Sequence, residues 1–250
     1  MNALYLAWRR LDHRWWPVGR LSREGSDYVF NYTQGARSAE EAGFRPLSNF
    51  PDFDQVYVST QLFAMFQNRL PPQSRPDYQD FIEWLDLGCG EADPLVMLAR
   101  CGGQRETDMF EVFQIPEQNA EGRYRSTFFV HGLRHRGLSA EQEVRRLRPG
   151  DALALEAEPA NPHDQRASRI HTVVRGVHIG FVPRYLCQDV HALLSAGELP
   201  QARVQRVNPP PTPAQFRVLC SLDSPWPQGS GPLANRDFEA LHAFVPAGRL

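Results

Sequence analysis

The chain has 250 residues, 42% apolar and 22% charged, with a net charge of −2. That mixture suits one large core or two smaller ones and excludes a disordered polyampholyte. The charge is uneven: residues 1–124 sum to −6 and residues 125–206 to +4, and six of the eight histidines lie in the second stretch. A polyanion is therefore attracted to the second stretch and repelled by the first. All 27 basic residues are arginine, whose forked guanidinium grips phosphate bidentately where an ammonium group does not.

In chain order, Ala3-Leu-Tyr-Leu-Ala-Trp reads as a strand. Trp15 to Leu21 and Tyr28 to Tyr32 read as a hairpin turning near Glu24-Gly25. Arg37 to Pro51, rich in Ser, Gly, Asn and Pro, reads as loop. Thr60 to Arg69 suits a buried helix ending before Leu70-Pro71-Pro72. Asp77 to Leu87 suits a second helix, with Tyr78, Phe81, Ile82 and Leu85 on one face. A third opens on Asp93 as N-cap with Pro94 behind it and stops at Gly102-Gly103. Beyond Arg125 the pattern turns to short strands at Ser126 to Gly132, Ala152 to Ala157, Thr172 to Val174, His178 to Pro183, Ala202 to Val207 and Phe216 to Leu222. A helix or turn is expected over Ser139 to Arg146, a helix over Tyr185 to Ala196, and a short one over Phe238 to Phe244. The fold class is α+β, with a second region of many short strands that suggests a small barrel.

Leu85-Asp-Leu-Gly-Cys-Gly-Glu-Ala-Asp is similar to the glycine-rich loop of S-adenosylmethionine methyltransferases. The stretch before it has helical periodicity, with Gly88 expected as a helix C-cap, and no alternating strand–helix units follow. A helix–loop–helix is the better reading. Val18-Gly-Arg-Leu, Tyr28-Val-Phe-Asn-Tyr, Pro46-Leu-Ser and Phe66-Gln-Asn-Arg-Leu-Pro resemble the N-terminal domain of HipA-type toxin kinases, which also stands alone as the HipS antitoxin component. Every matched residue also suits plain packing. No lysine, phosphate-binding loop or catalytic Asp-x-x-x-x-Asn follows, so the resemblance implies a docking surface in residues 1–123, for a HipA-type kinase or another protein, and no kinase activity.

Phe129-Val-His-Gly-Leu-Arg-His, Leu147-Arg-Pro-Gly-Asp, Glu158-Pro-Ala-Asn-Pro-His-Asp, Ala167 and Ile179-Gly-Phe-Val-Pro-Arg form an ordered set. Together they resemble a HIRAN domain, placed here at 124–207, with a C-terminal strand and helix over 208–250. The resemblance implies an OB-like β-barrel that binds single-stranded DNA or captures its 3′ end. By position, Arg134 and Arg136 would hold phosphate, and His135 and His163 would stack on bases. Asn161 and Asp164 would supply polar contacts, Asp164 to a terminal hydroxyl, with Phe181 and Arg184 lining the same groove. Histidines stand at 135 and 163 where the DNA-binding members carry tyrosines, so affinity is expected to rise as pH falls. The bland alternative is that Glu158-Pro159 and Asn161-Pro162 only form a turn, with Asp164 capping it.

Smaller signals add little. His131 and His135 flank a glycine without an acidic partner, and Cys89, Cys101, Cys187 and Cys220 contain no C-x-x-C pair, which argues against a metal site and for a reducing compartment. No apolar run approaches the roughly 20 residues of a membrane helix, and the N-terminus lacks a signal-peptide order. Trp15-Trp16 reads as core sooner than as an exposed partner site, and Asn208-Pro-Pro-Pro-Thr-Pro as a stiff connection sooner than a polyproline ligand. The expectation is a cytoplasmic, non-catalytic, cofactor-free bacterial protein that binds DNA through the second region and a protein partner through the first. The rival is a HipS-like antitoxin whose HIRAN surface contacts protein.

Overall fold

The computed structural model describes residues 3–12, 14–88, 90, 92–105, 107–198, 200–225 and 231–244. Met1 and Asn2 of the N-terminal reading, and Cys89 and Glu91 of the glycine-rich stretch, lie outside the described residues. The elements are β1 (Ala3–Arg9), β2 (Trp15–Glu24), β3 (Asp27–Tyr32), α1 (Gln34–Glu40), β4 (Tyr57–Ser59), α2 (Ala64–Gln67), α3 (Tyr78–Trp84), α4 (Pro94–Cys101) and β5 (Phe110–Gln114). They continue as β6 (Glu117–Gln118), β7 (Arg123–Phe129), α5 (Gly137–Val144), β8 (Ala152–Ala157), β9 (Ser168–Thr172), β10 (His178–Phe181), α6 (Arg184–Ser195), β11 (Gln201–Val207) and β12 (Val218–Pro225). Short 3-10 turns cover Leu133–His135, Ala214–Phe216 and Arg236–Phe238. The chain forms two compact units: one of residues 1–78, 90–115 and 234–250, the other of 79–89 and 116–233.

The first unit holds an antiparallel sheet in the order β4-β3-β2-β1-β5. The expected hairpin is present, with Glu24 paired to Asp27 across a two-residue turn and Gly25 at φ 65°. The core is aromatic: Phe30 stacks on Phe50 at 4.0 Å, and the Tyr32 hydroxyl donates to the Phe50 carbonyl while accepting from Leu47 N. Trp15 packs on Phe113 and Phe238 and Trp16 on Trp8, so both are packing residues.

Helix ends show where local rules held and where they failed. Asp93 caps α4 by accepting from Leu95 N at 2.8 Å, Pro94 follows it, and Gly102 ends the helix at φ 74°. The loop read from Arg37 begins inside a helix, because Ala36 and Ala39 are buried three residues apart on α1. The helix expected over Thr60 to Arg69 shrinks to α2, since the Ser59 hydroxyl binds both the N–H and the carbonyl of Gln61 and holds the chain in a turn. α3 ends before Gly88: Asp86 takes the left-handed position at φ 56°, and Leu87 N donates to Ile82 O while Asp86 N donates to Glu83 O. Leu85 thus follows a helix and not a strand.

The second unit holds an antiparallel sheet in the order β10-β9-β8-β11-β12-β7-β6, with α5 and α6 packed into an aliphatic core. The barrel expected from the HIRAN resemblance needs correction. Among the described residues the ladders form an open sheet, and the backbone beyond β7 pairs with β10 only at an isolated bridge between His131 and Phe181. His131 N donates to Phe181 O at 3.0 Å and Phe181 N to His131 O at 2.8 Å. Gly132, at φ 73°, then turns the chain away, so no ladder extends from that bridge. The strand expected at Thr172 to Val174 is instead β9, ending at Thr172. Val173 and Val174 lie exposed in the turn to β10, closed by Gly176 N donating to Thr172 O. The helix expected over Phe238 to Phe244 is also absent: a 3-10 turn ends at Phe238, and Ala240 forms a bridge with Thr33.

Candidate nucleic-acid interface

Three strands build the platform. On β8, Leu153 and Leu155 face inward while Ala152, Ala154 and Glu156 face out; on β9, Ser168, Ile170 and Thr172 are buried while Arg169 and His171 are not. A register shift between His178 and Gly180 leaves both His178 and Phe181 partly exposed. Register then sets two cross-strand rows, Glu156–Arg169–Phe181 and Ala154–His171–His178. Gly180 is required where it stands: a Cβ there would lie 2.4 Å from the His131 carbonyl oxygen and 2.5 Å from the Val130 side chain.

The turn after Gly132 brings Arg136 onto this platform. Its guanidinium lies over the Phe181 ring at 5.3 Å, and Nη1 is 3.3 Å from His178 Nδ1. Phe181 meets His178 edge-on at 5.0 Å, and His178 stacks on His171 at 5.1 Å. The result is a continuous run of flat groups, Arg136–Phe181–His178–His171. Burial, with the nearby Arg136 charge, lowers the His178 pKa below the usual 6.5, which favours a neutral ring. His171 Nε2 lies 3.0 Å from Glu156.

A second group gathers at the turn between β8 and β9. Asn161 Oδ1 accepts from His163 N at 2.9 Å and Asp164 N at 3.1 Å, and its Nδ2 donates to Glu158 at 2.7 Å. The other Glu158 oxygen pairs with Arg169. Arg169 and Asn161 together hold the Glu158 carboxyl below its usual range. Asp164 accepts from Arg166 N at 2.9 Å and lies 3.5 Å from Arg184 Nε, while Arg184 Nη2 donates to the His163 carbonyl at 3.0 Å. The turn is thus clamped by two arginines.

The structure therefore sorts the predicted residues into three sets. Arg136 and Phe181 come together. Asn161, His163, Asp164 and Arg184 come together, but Asn161 spends its carbonyl oxygen inside the turn and Arg184 acts as a clamp. Arg134 and His135 are exposed and bond each other at 2.9 Å, with no hydrogen bond or ion pair to the Asn161 turn among the described residues. Arg169 links the first two sets, as backbone partner of Phe181 and ion-pair partner of Glu158. Sequence reasoning missed Arg166, Arg169, His171 and His178. The alternation Ser168-Arg-Ile-His-Thr was the available signal, since polar residues at every second strand position share a face. Among the described residues the Arg134, Arg136 and Arg166 guanidinium groups have no carboxylate partner, so their charge is available to a ligand. No three His, Cys, Asp or Glu side chains gather as a metal-binding group among the described residues, and no described helix is long and apolar enough to cross a membrane.

This platform and turn lie inside a stretch, residues 124–224, that matches the family model of the HIRAN domain. The match ends inside β12 and does not reach the first 123 residues. Two solved structures are similar. One is a protein from Lactobacillus plantarum, 22% identical, covering 41% of this chain and 97% of that one with a TM-score of 0.35. The other is the HIRAN domain of human HLTF, 18% identical, covering 40% of this chain and 74% of that one with a TM-score of 0.31. No curated protein matches the chain.

Proposed function

We propose that the HIRAN region binds single-stranded DNA and engages its 3′ end, as a binding module without catalysis. The observation that carries this reading is the half-buried Arg136–Phe181–His178–His171 run, in a unit that also holds the exposed, uncompensated guanidinium groups of Arg134 and Arg166. Bases stack on such a surface for roughly 1–3 kcal/mol each, and arginines bind phosphate with salt-dependent affinity. Arg136 acts as the lid of the stack and as a phosphate ligand, and Phe181 supplies the floor. His163 projects from the tip of the clamped turn, and Asp164 accepts a hydrogen bond from the terminal sugar hydroxyl. Asn161 and Arg184 hold that turn in shape. The docking role read for residues 1–123, with its HipA-type kinase partner, forms no part of this proposal.

The test is fluorescence anisotropy of labelled 15-mers ending in a free 3′-hydroxyl or a 3′-phosphate, and of a duplex, over a salt series. The free 3′-hydroxyl strand is expected to bind best, with log affinity falling linearly in log salt. Arg136→Ala is expected to weaken it about tenfold, the loss of one stacked, phosphate-binding group. Equal binding of all three probes would remove the end-capture claim, and no binding at low salt would remove the whole reading.

A further inference from the structure

A second concave surface of the same unit lies beyond the other end of β8. The Asn161 turn follows the strand, while Arg145, Arg148, Arg206 and Arg217 line a cavity of about 450 Å³ reached from the segment that precedes it. Leu147 and Pro209 are among its apolar walls. The volume falls within the roughly 300–1,000 Å³ of small-ligand sites.

The four arginines are not equivalent. Arg206 is neutralised inside the unit, 2.7 Å from Glu83 and 3.4 Å from Asp86, with Nε donating to Asn208. The Arg145, Arg148 and Arg217 side chains have no carboxylate partner among the described residues, although the Arg148 N–H donates to the Asp151 carboxylate at 2.8 Å. Arg148 donates to the carbonyls of Arg145 and Leu147, at 3.3 and 3.0 Å, and Arg217 to that of Thr212 at 3.4 Å. Arg217 Nε is shielded from solvent with no acceptor. Guanidinium groups crowded at one cavity repel each other until an anion sits between them, and phosphate oxygens match their forks. The apolar wall suits a flat, weakly polar group attached to that anion.

We propose that this cavity is a nucleotide site, separate from the Arg136 face and independent of the function proposed for it. A phosphate sits among Arg145, Arg148 and Arg217, and the base lies on Leu147 and Pro209. The nucleotide is either free or a residue of a strand; both offer the same phosphate and base.

The experiment titrates the full-length protein calorimetrically with adenosine 5′-monophosphate and with adenosine, and follows a labelled 15-mer by anisotropy. The monophosphate is expected to bind, with adenosine about tenfold weaker or undetectable. Arg145→Gln/Arg148→Gln, at two exposed positions, is expected to weaken the monophosphate about tenfold, as is Arg217→Gln, while Arg75→Gln, at an exposed position of the first unit, leaves it unchanged. If the monophosphate fails to bind but the double variant weakens the 15-mer about fivefold at low salt, the phosphate belongs to a strand and the site stands. Adenosine binding as well as the monophosphate would overturn the proposal, as would indifference of both probes to the double variant. Because Arg136→Ala reports on the other face, failure of one site leaves the other measurable.

Discussion

Asp189 lies on α6 within the second unit, 8% exposed. One carboxylate oxygen accepts from Leu233 N at 3.2 Å; the other is shielded without a partner among the described residues. Burial raises its pKa from 3.8 to about 6. Between those values the folded chain binds more protons than the unfolded one, so this group's contribution to stability falls as pH rises through that window. Asp189→Asn is therefore expected to stabilise the protein by roughly 3 kcal/mol at about pH 7.5, with the gap closing below about pH 4. Denaturant titrations of both proteins across pH measure it; a gap independent of pH would assign the effect to something other than ionisation. None of this was legible in the sequence, where Asp189 is one acid in a helix.

At the scale of elements, α4 is the case where local chemistry sufficed. Asp93, Pro94 and Gly102 specify both ends, and the structure shows the cap bond, the proline and the left-handed glycine. Asp93 also pairs with Arg23 at 2.6 Å. Asp93→Ala is expected to cost about 1 kcal/mol from the cap alone. Asp93→Asn, which keeps a capping oxygen and drops the ion pair, is expected to recover most of it, as read by thermal unfolding. α3 is the contrary case. Glycine was the expected terminator, yet Asp86 takes the left-handed position, and its carboxylate accepts from Gln205 at 2.7 Å. A partner 119 residues away has no local signature. The same holds for β9 and β10, where a run of valines read as strand while the hairpin turn placed them in solvent.

At the scale of the whole molecule, the chain returns to its first unit after completing the second. Phe238 meets Tyr5 at 4.9 Å and packs against Trp15 and Phe113. The Tyr5 hydroxyl donates to the Phe238 carbonyl at 3.1 Å, and Asn31 donates to the His242 carbonyl at 2.7 Å. Residues 234–244 are thus part of the first unit's core and edge. Phe238→Ala is expected to destabilise that unit by about 3–5 kcal/mol. Oligonucleotide affinity at a temperature where both proteins are folded is expected to stay unchanged, because the residues of both proposed binding surfaces lie in 134–217, within the second unit. Paired unfolding and anisotropy measurements check this, and a parallel loss of affinity would tie binding to the first unit.

The sequence by itself determined the α+β class, most strands, the capped helix α4, the charge contrast between the two stretches, and the ordered residues that the HIRAN match now covers. Those properties live in composition, short-range periodicity and turn chemistry, which act within a few residues of the chain. Tertiary structure decided that the sheet stays open around the single His131–Phe181 bridge and that Gly180 must lack a side chain beneath it. It also decided which arginine charges stay uncompensated. Arg169, Arg184 and Arg206 are spent on Glu158, Asp164 and the Glu83–Asp86 pair, while Arg134, Arg136, Arg145, Arg148 and Arg217 are not. Charge is read from sequence residue by residue, but its availability depends on partners 11 to 123 positions away, and only the folded backbone brings those together.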